Sequence, residues 1–178
     1  MLALFDADII VFRCGLASER NVWHLSVPSQ DYEYTFDYKR EAVKELDKRL
    51  SGVYSRQEGD DYKLWPEKEL EPLSHALQNV KGLVARTLDE LGMNDFDARF
   101  YLSPASGKTF RYDIATTRPY KGNRDRSHRP TYEQEIRDYI HKNWETYVAV
   151  NEEADDLLGI EQTKLGDDSV IISLDKDL

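Results

Sequence analysis

Short strand-like apolar runs alternate with helical periodicities along this chain, and no other feature of the sequence narrows its fold as far. The first run, Leu2–Phe5, closes on a carboxylate at Asp6, and the spacing that follows predicts a helix beginning soon after it. Further strands are predicted at Ala98–Ser103 (ARFYLS), Tyr147–Val150 and the β-branched Ser169–Leu174 (SVIISL). Between them lie helical patterns. Lys39–Leu50 carries Val43, Leu46 and Leu50. Pro72–Leu91 repeats Leu73, Leu77, Val80, Val84, Leu88 and Leu91 at three- and four-residue steps, with Gly92 as a stop. Thr131–Glu145 opens on Pro130, Thr131 and Gln134 in a capping-box pattern, and Glu152–Lys164 is closed by Gly166. Strands alternating with helices predict an α/β fold built on a mainly parallel central sheet.

One stretch breaks that rhythm. Val22–Val27 and Tyr32–Tyr38 alternate in polarity around Pro28, Ser29, Gln30 and Asp31, which predicts a β-hairpin inserted after the first unit, over residues 22–38. Ser51–Glu71, charged and containing Gly52, Gly59 and Pro66, reads as a long loop. The 178 residues, 40% hydrophobic and 33% charged, suffice for one domain with a real core. No apolar run approaches the ~18 residues of a membrane span. Asp6 and Asp8 interrupt the stretch that a signal peptide would need, so a soluble, cytoplasmic protein is expected. Cys14, the single cysteine, suits a reducing compartment, and His24, His75, His128 and His141 have no zinc-type spacing.

The net charge of −10 argues against wholesale nucleic-acid affinity, but the charge is unevenly spread. Arg118, Lys121, Arg124, Arg126 and Arg129 stand against Asp125 alone, whereas residues 152–178 hold nine carboxylates against Lys164 and Lys176. Three acidic groups fall at equivalent places after strands: Asp6; Glu153, Asp155 and Asp156; and Asp175 and Asp177. In an open parallel sheet that edge is where ligands bind. Glu153 and Asp156 share a helix face, and Asp175 and Asp177 point the same way on an extended segment. Such carboxylates, converging, call for hard cations, Mg²⁺ or Mn²⁺, and two such ions suit phosphodiester cleavage. Taken singly, acidic residues in a first helical turn simply complement the dipole, and a charge run is ordinarily a solvated loop. The basic segment, however, interleaves cations with Tyr120, which suits phosphate contact and base stacking. Gly107, Lys108 and Thr109 mimic the end of a P-loop, but Leu102 stands where its first glycine is required.

LFDADII, YKGNRDR with its following RP, EEADDLLGI and VIISLDKDL together resemble, in order, the metal-dependent 5′-nuclease (PIN-like) superfamily. That family includes flap endonucleases and, most similar, bacteriophage 5′→3′ exonucleases. The resemblance implies a three-layer PIN-like fold over 1–178, with an arch-like basic segment at 116–130 and host cytoplasm as the compartment. It implies hydrolysis at 5′ ends or flaps of DNA, with RNA or RNA–DNA hybrids as further substrates. Asp6, Glu153, Asp155, Asp156, Asp175 and Asp177 would be ligands of up to two Mg²⁺ or Mn²⁺ ions. Lys121 and Arg124 would contact the scissile phosphate and Tyr120 would stack near the terminal nucleotide, with Arg118, Arg126 and Arg129 completing the nucleic-acid contact. Two departures stand out. The family's acidic ligand shortly before the Gly-Lys pair is replaced by Pro104, Ala105 and Ser106, so that ligand is missing unless Asp113 substitutes from elsewhere. Past the DKD motif the family continues into a DNA-gripping part with a further Asp pair, which implies an incomplete second metal site, weak activity, and a second polypeptide or longer chain as the source of the rest. Two other readings stay open: a PIN-like ribonuclease, and a catalytically weak nucleic-acid-binding accessory module.

Overall fold

The computed structural model describes residues 1–51, 61–118, 120 and 129–174. The chain divides into two compact units, Met1–Ser18 with Pro72–Leu178, and Glu19–Glu71.

The first unit is built on strands β1 (Leu2–Asp6), β5 (Ala98–Leu102), β6 (Glu145–Val148) and β7 (Ser169–Ile172). All pair in parallel, in the spatial order β6-β5-β1-β7. Side-chain alternation in β1 and β5 sorts the residues to two faces. Ala3, Phe5, Ala98, Phe100 and Leu102 pack into a core with α1 (Ala7–Leu16), α3 (Leu73–Glu90) and α5 (Glu133–Asn143). Leu4 and Tyr101 point the other way, against Ala154 and Leu158 of α6 (Ala154–Leu165). Helices therefore cover both faces, giving three layers with Phe5 and Phe100 stacked at 4.8 Å in the larger core. The fit is close where α1 meets the approach to α5. A Cβ on Gly15 would lie 2.5 Å from Pro130 Cβ, so this helix position excludes any side chain.

The first and last of these strands agree with the predicted ones within two residues, and β6 begins two residues earlier than predicted. The capping box expected at Thr131 and Gln134 does not form. Tyr132 is the N-cap residue without a side-chain cap, and the Gln134 amide donates instead to Asp138 at 2.7 Å. A five-residue helix not anticipated from the sequence, α4 (Phe110–Ile114), follows Thr109.

In the second unit the predicted hairpin forms from β2 (Glu19–Val27) and β3 (Tyr32–Phe36), and α2 (Lys39–Leu50) sets Leu46 against Leu25 and Val27. The expected loop 51–71 needs correction: Lys63–Leu70 is a strand, β4, pairing antiparallel with β2 from Ser26↔Lys63 to Glu19↔Leu70. Pro66 is compatible with that because β4 is an edge strand in the order β3-β2-β4. The insert is thus a three-stranded sheet with a helix, larger than a hairpin. No helix among the described residues is long and apolar enough to cross a membrane.

Candidate functional site

Taken in chain order, the four parallel strands run 3-2-1-4 across the sheet. The chain leaves β1 toward β5 on one side and returns from β6 through α6 to β7 on the other. This reversal lies at the C-terminal ends of β1 and β7, the place where open α/β sheets bind ligands.

Asp6 ends β1 at that point. Its carboxylate caps α1, accepting the Ile9 N–H at 3.3 Å, and accepts the Ser173 hydroxyl just past β7 at 3.0 Å. The residue is 3% exposed. Burial pushes its carboxyl up to about 6, against the lowering effect of the two hydrogen bonds, with the negative charges of Asp155 and Asp8 adding to the rise. A carboxyl whose pKa is raised toward neutrality at a strand end is typical of a group kept for more than packing.

Asp8, two residues on, serves a different task. One carboxylate oxygen accepts the Ser103 N–H at the end of β5 and the other accepts Arg137 Nη1, both at 3.1 Å, while Arg137 Nη2 donates to the Ser103 carbonyl. Ser103 Oγ in turn accepts the Ala154 N–H at 3.0 Å. This half-buried chain ties α1, β5, α5 and the start of α6 together. It fixes the spacing of the carboxylates around it.

The third group sits at the N-terminus of α6. Glu153 is the N-cap residue and forms a capping box with Asp156, whose Oδ2 accepts the Glu153 N–H at 3.1 Å. Arg111 from α4 donates both Nη groups to Asp156 at 2.6 Å and lies 3.3 Å from Glu153 Oε2. That pairing holds its guanidinium above the ordinary arginine value, the hydrogen bonds to Asp156 being the largest cause. Tyr120 donates its hydroxyl to Glu153 Oε2 at 2.9 Å and presents its ring edge-on to Tyr112 at 5.4 Å. The same turn of α6 borders an open groove of about 600 Å³ running from Asp155 and Asp156 to Thr163 and Lys164.

The sequence-predicted residues are distributed as follows. Asp6 and Asp155 are close enough to interact electrostatically, and Glu153 and Asp156 share Arg111. Arg118 is exposed, and Arg129, in the segment before α5, pairs with Glu133 at the start of that helix at 3.1 Å. Asp113 is exposed on α4. Lys121, Arg124, Arg126, Asp175 and Asp177 lie outside the described residues. Among the described residues no three acidic, histidine or cysteine side chains converge tightly enough to hold one ion. The donor chemistry nevertheless suits a hard divalent cation, because carboxylate oxygens line the edge and a guanidinium already stands on them. Asp8, Ser103, Arg111, Arg137 and Ser173 were not singled out from the sequence as site residues; Arg137, a cation on the apolar face formed by Ile136 and Ile140, is the one that carried a readable signal.

No family model, curated protein or solved structure matches this chain.

Proposed function

We propose that this protein is a divalent-metal-dependent 5′ nuclease with a PIN-like fold, hydrolysing phosphodiester bonds at the 5′ ends or flaps of DNA. The observation that carries the reading is the approach, at the reversal point of a 3-2-1-4 parallel sheet, of Asp6 to Asp155 in the first turn of α6, whose neighbours Glu153 and Asp156 hold Arg111 from the segment after β5.

In this reading Asp6, Glu153, Asp155 and Asp156, with Asp175 and Asp177, hold Mg²⁺ or Mn²⁺. When bound, such a cation supplies activation of the attacking water and charge neutralisation at the leaving oxygen. The chain's own residues do the rest. Ser173 and the Ile9 N–H orient Asp6. The Asp8–Arg137–Ser103 chain fixes β5 and the start of α6 relative to α1, which sets the carboxylate spacing. Lys121 and Arg124 neutralise the scissile phosphate as negative charge develops on it. Tyr120, carried on the same segment, offers a ring to the terminal base.

The test is incubation of the purified protein with a 5′-labelled DNA flap, and with its RNA counterpart, with and without Mn²⁺. Release of 5′-phosphorylated products from DNA only with metal is expected. Preferential cleavage of RNA would move the assignment to the ribonuclease branch. Binding of both without any metal-dependent cleavage would reduce it to an accessory module.

A further inference from the structure

Arg111 takes up the very oxygens that the proposed function assigns to a metal. Both Asp156 carboxylate oxygens accept from its two Nη groups at 2.6 Å, and Asp156 Oδ2 accepts the Glu153 N–H as well. Glu153 Oε2 is shared between Arg111 and the Tyr120 hydroxyl. A guanidinium in this fork is a full positive charge matched to carboxylate geometry, and it does not shed its proton at any ordinary pH. Its charge therefore competes with any other cation for these oxygens.

The surroundings make displacement inexpensive. Arg111 is carried on a five-residue helix with no buried residue, whose start is tied to the rest of the unit by the Phe110 N–H to Asn151 carbonyl bond. The side chains of Arg111 and Asp156 are 29% and 25% exposed, so both ions are already partly hydrated and separating them exposes little apolar surface. Contrast the Asp8–Arg137 pair, where the arginine side chain is 9% exposed and also holds a backbone carbonyl. That pair is a fixed strut. The Arg111 pair is placed to exchange.

We propose, resting on the metal-dependent reading above, that Arg111 is a resident counter-cation which occupies Asp156 and Glu153 in the metal-free protein, and that a divalent cation takes these carboxylates by displacing it. Tyr120 follows the exchange, because its hydroxyl bonds the same Glu153 oxygen and its ring rests against Tyr112, the neighbour of Arg111.

Mn²⁺ binding, read from the spectroscopic signal of the free ion, tests this without reference to activity. Arg111→Gln should bind Mn²⁺ about tenfold more tightly than the parent, because one competing charge is removed, and Tyr120→Phe should tighten binding by about threefold or less. A residue with a merely structural role would weaken binding when removed. Parent protein that binds Mn²⁺ while Arg111→Gln binds it equally or less well overturns the counter-cation and leaves the metal reading standing. Absence of binding by both overturns the two together. If Arg111→Gln does not fold, nitrogen NMR of the parent decides: the Arg111 Nη resonances, separated while the fork holds, should merge as Mg²⁺ is added. Resonances that stay separated under saturating Mg²⁺ overturn the exchange.

Discussion

Replacing Asp6 by asparagine should make this protein more stable at neutral pH while removing a group central to its proposed chemistry. The Asp6 carboxyl titrates at about 6 in the folded chain against 3.8 for an ordinary aspartate, chiefly because burial disfavours its charge. A carboxyl whose folded value lies above its unfolded one binds protons more tightly in the native state. It therefore costs stability above about pH 6, progressively less on descending toward 3.8, and nothing below that. A rise of about two units corresponds to roughly 3 kcal/mol. Asparagine keeps an oxygen for the Ile9 N–H or the Ser173 hydroxyl but not a full carboxylate for both, a loss of about 1 kcal/mol. Asp6→Asn should thus gain about 2 kcal/mol near pH 7.5 and lose about 1 kcal/mol near pH 4. Urea unfolding of parent and variant at the two pH values measures both numbers. A variant less stable than the parent near neutrality, or a difference that does not change with pH, would show that Asp6 is not a strained carboxylate and that it is better solvated than its burial implies.

Three further outcomes are open to direct measurement. Gly15→Ala should destabilise by about 1–3 kcal/mol in denaturant unfolding, because the new methyl meets the rigid Pro130 ring at 2.5 Å and the resulting overpacking outweighs the helix-propensity gain of at most ~1 kcal/mol. Arg137→Met should cost about 2–3 kcal/mol, leaving the Ser103 carbonyl and half of Asp8 without a donor, while Asp8→Asn, whose side chain is partly exposed, should cost less. Binding to single-stranded 5′ ends should weaken as salt rises, and Arg124→Ala should flatten the log–log slope by about one.

How much of this could be read in advance depends on whether a signal was local. Phe5 and Phe100 declared themselves because buried strands are short apolar runs, and the α3 stripe Val80, Val84, Leu88 because a core-facing helix repeats at its own period. Asp6 was legible as a carboxylate closing such a run. β4 was not, since KLWPEKEL offers one half-buried leucine and a proline; what holds it is cross-strand, the Lys68–Glu19 bond at 2.7 Å, the Arg20–Glu69 fork and the His24–Trp65 stack. The same physics hid part of the site. Asp8 finds its partners 95 and 129 residues away, and Arg111 meets Asp156 at a separation of 45. Pairings of that kind have no period. They exist only once the sheet has brought the strand ends together. α4 (FRYDI) sets Phe110, Tyr112 and Ile114 two apart, a strand-like alternation that hides a helix without a buried residue.

The register of the inserted sheet has a consequence for how this gene could have been assembled. Glu19, the first residue of the insert's opening strand, pairs with Leu70 at the close of its last, so the polypeptide departs from the parallel-sheet unit and comes back at nearly the same place. To the host unit, some fifty residues count as a stitch only a few ångströms wide. A segment with such adjoining ends can be gained or lost in one genetic step at little conformational cost, since the span to be bridged is the same with or without it. Joining Ser18 to Pro72 through a few flexible residues should leave the α1–α3–α5 layer and the order of the four parallel strands as they are.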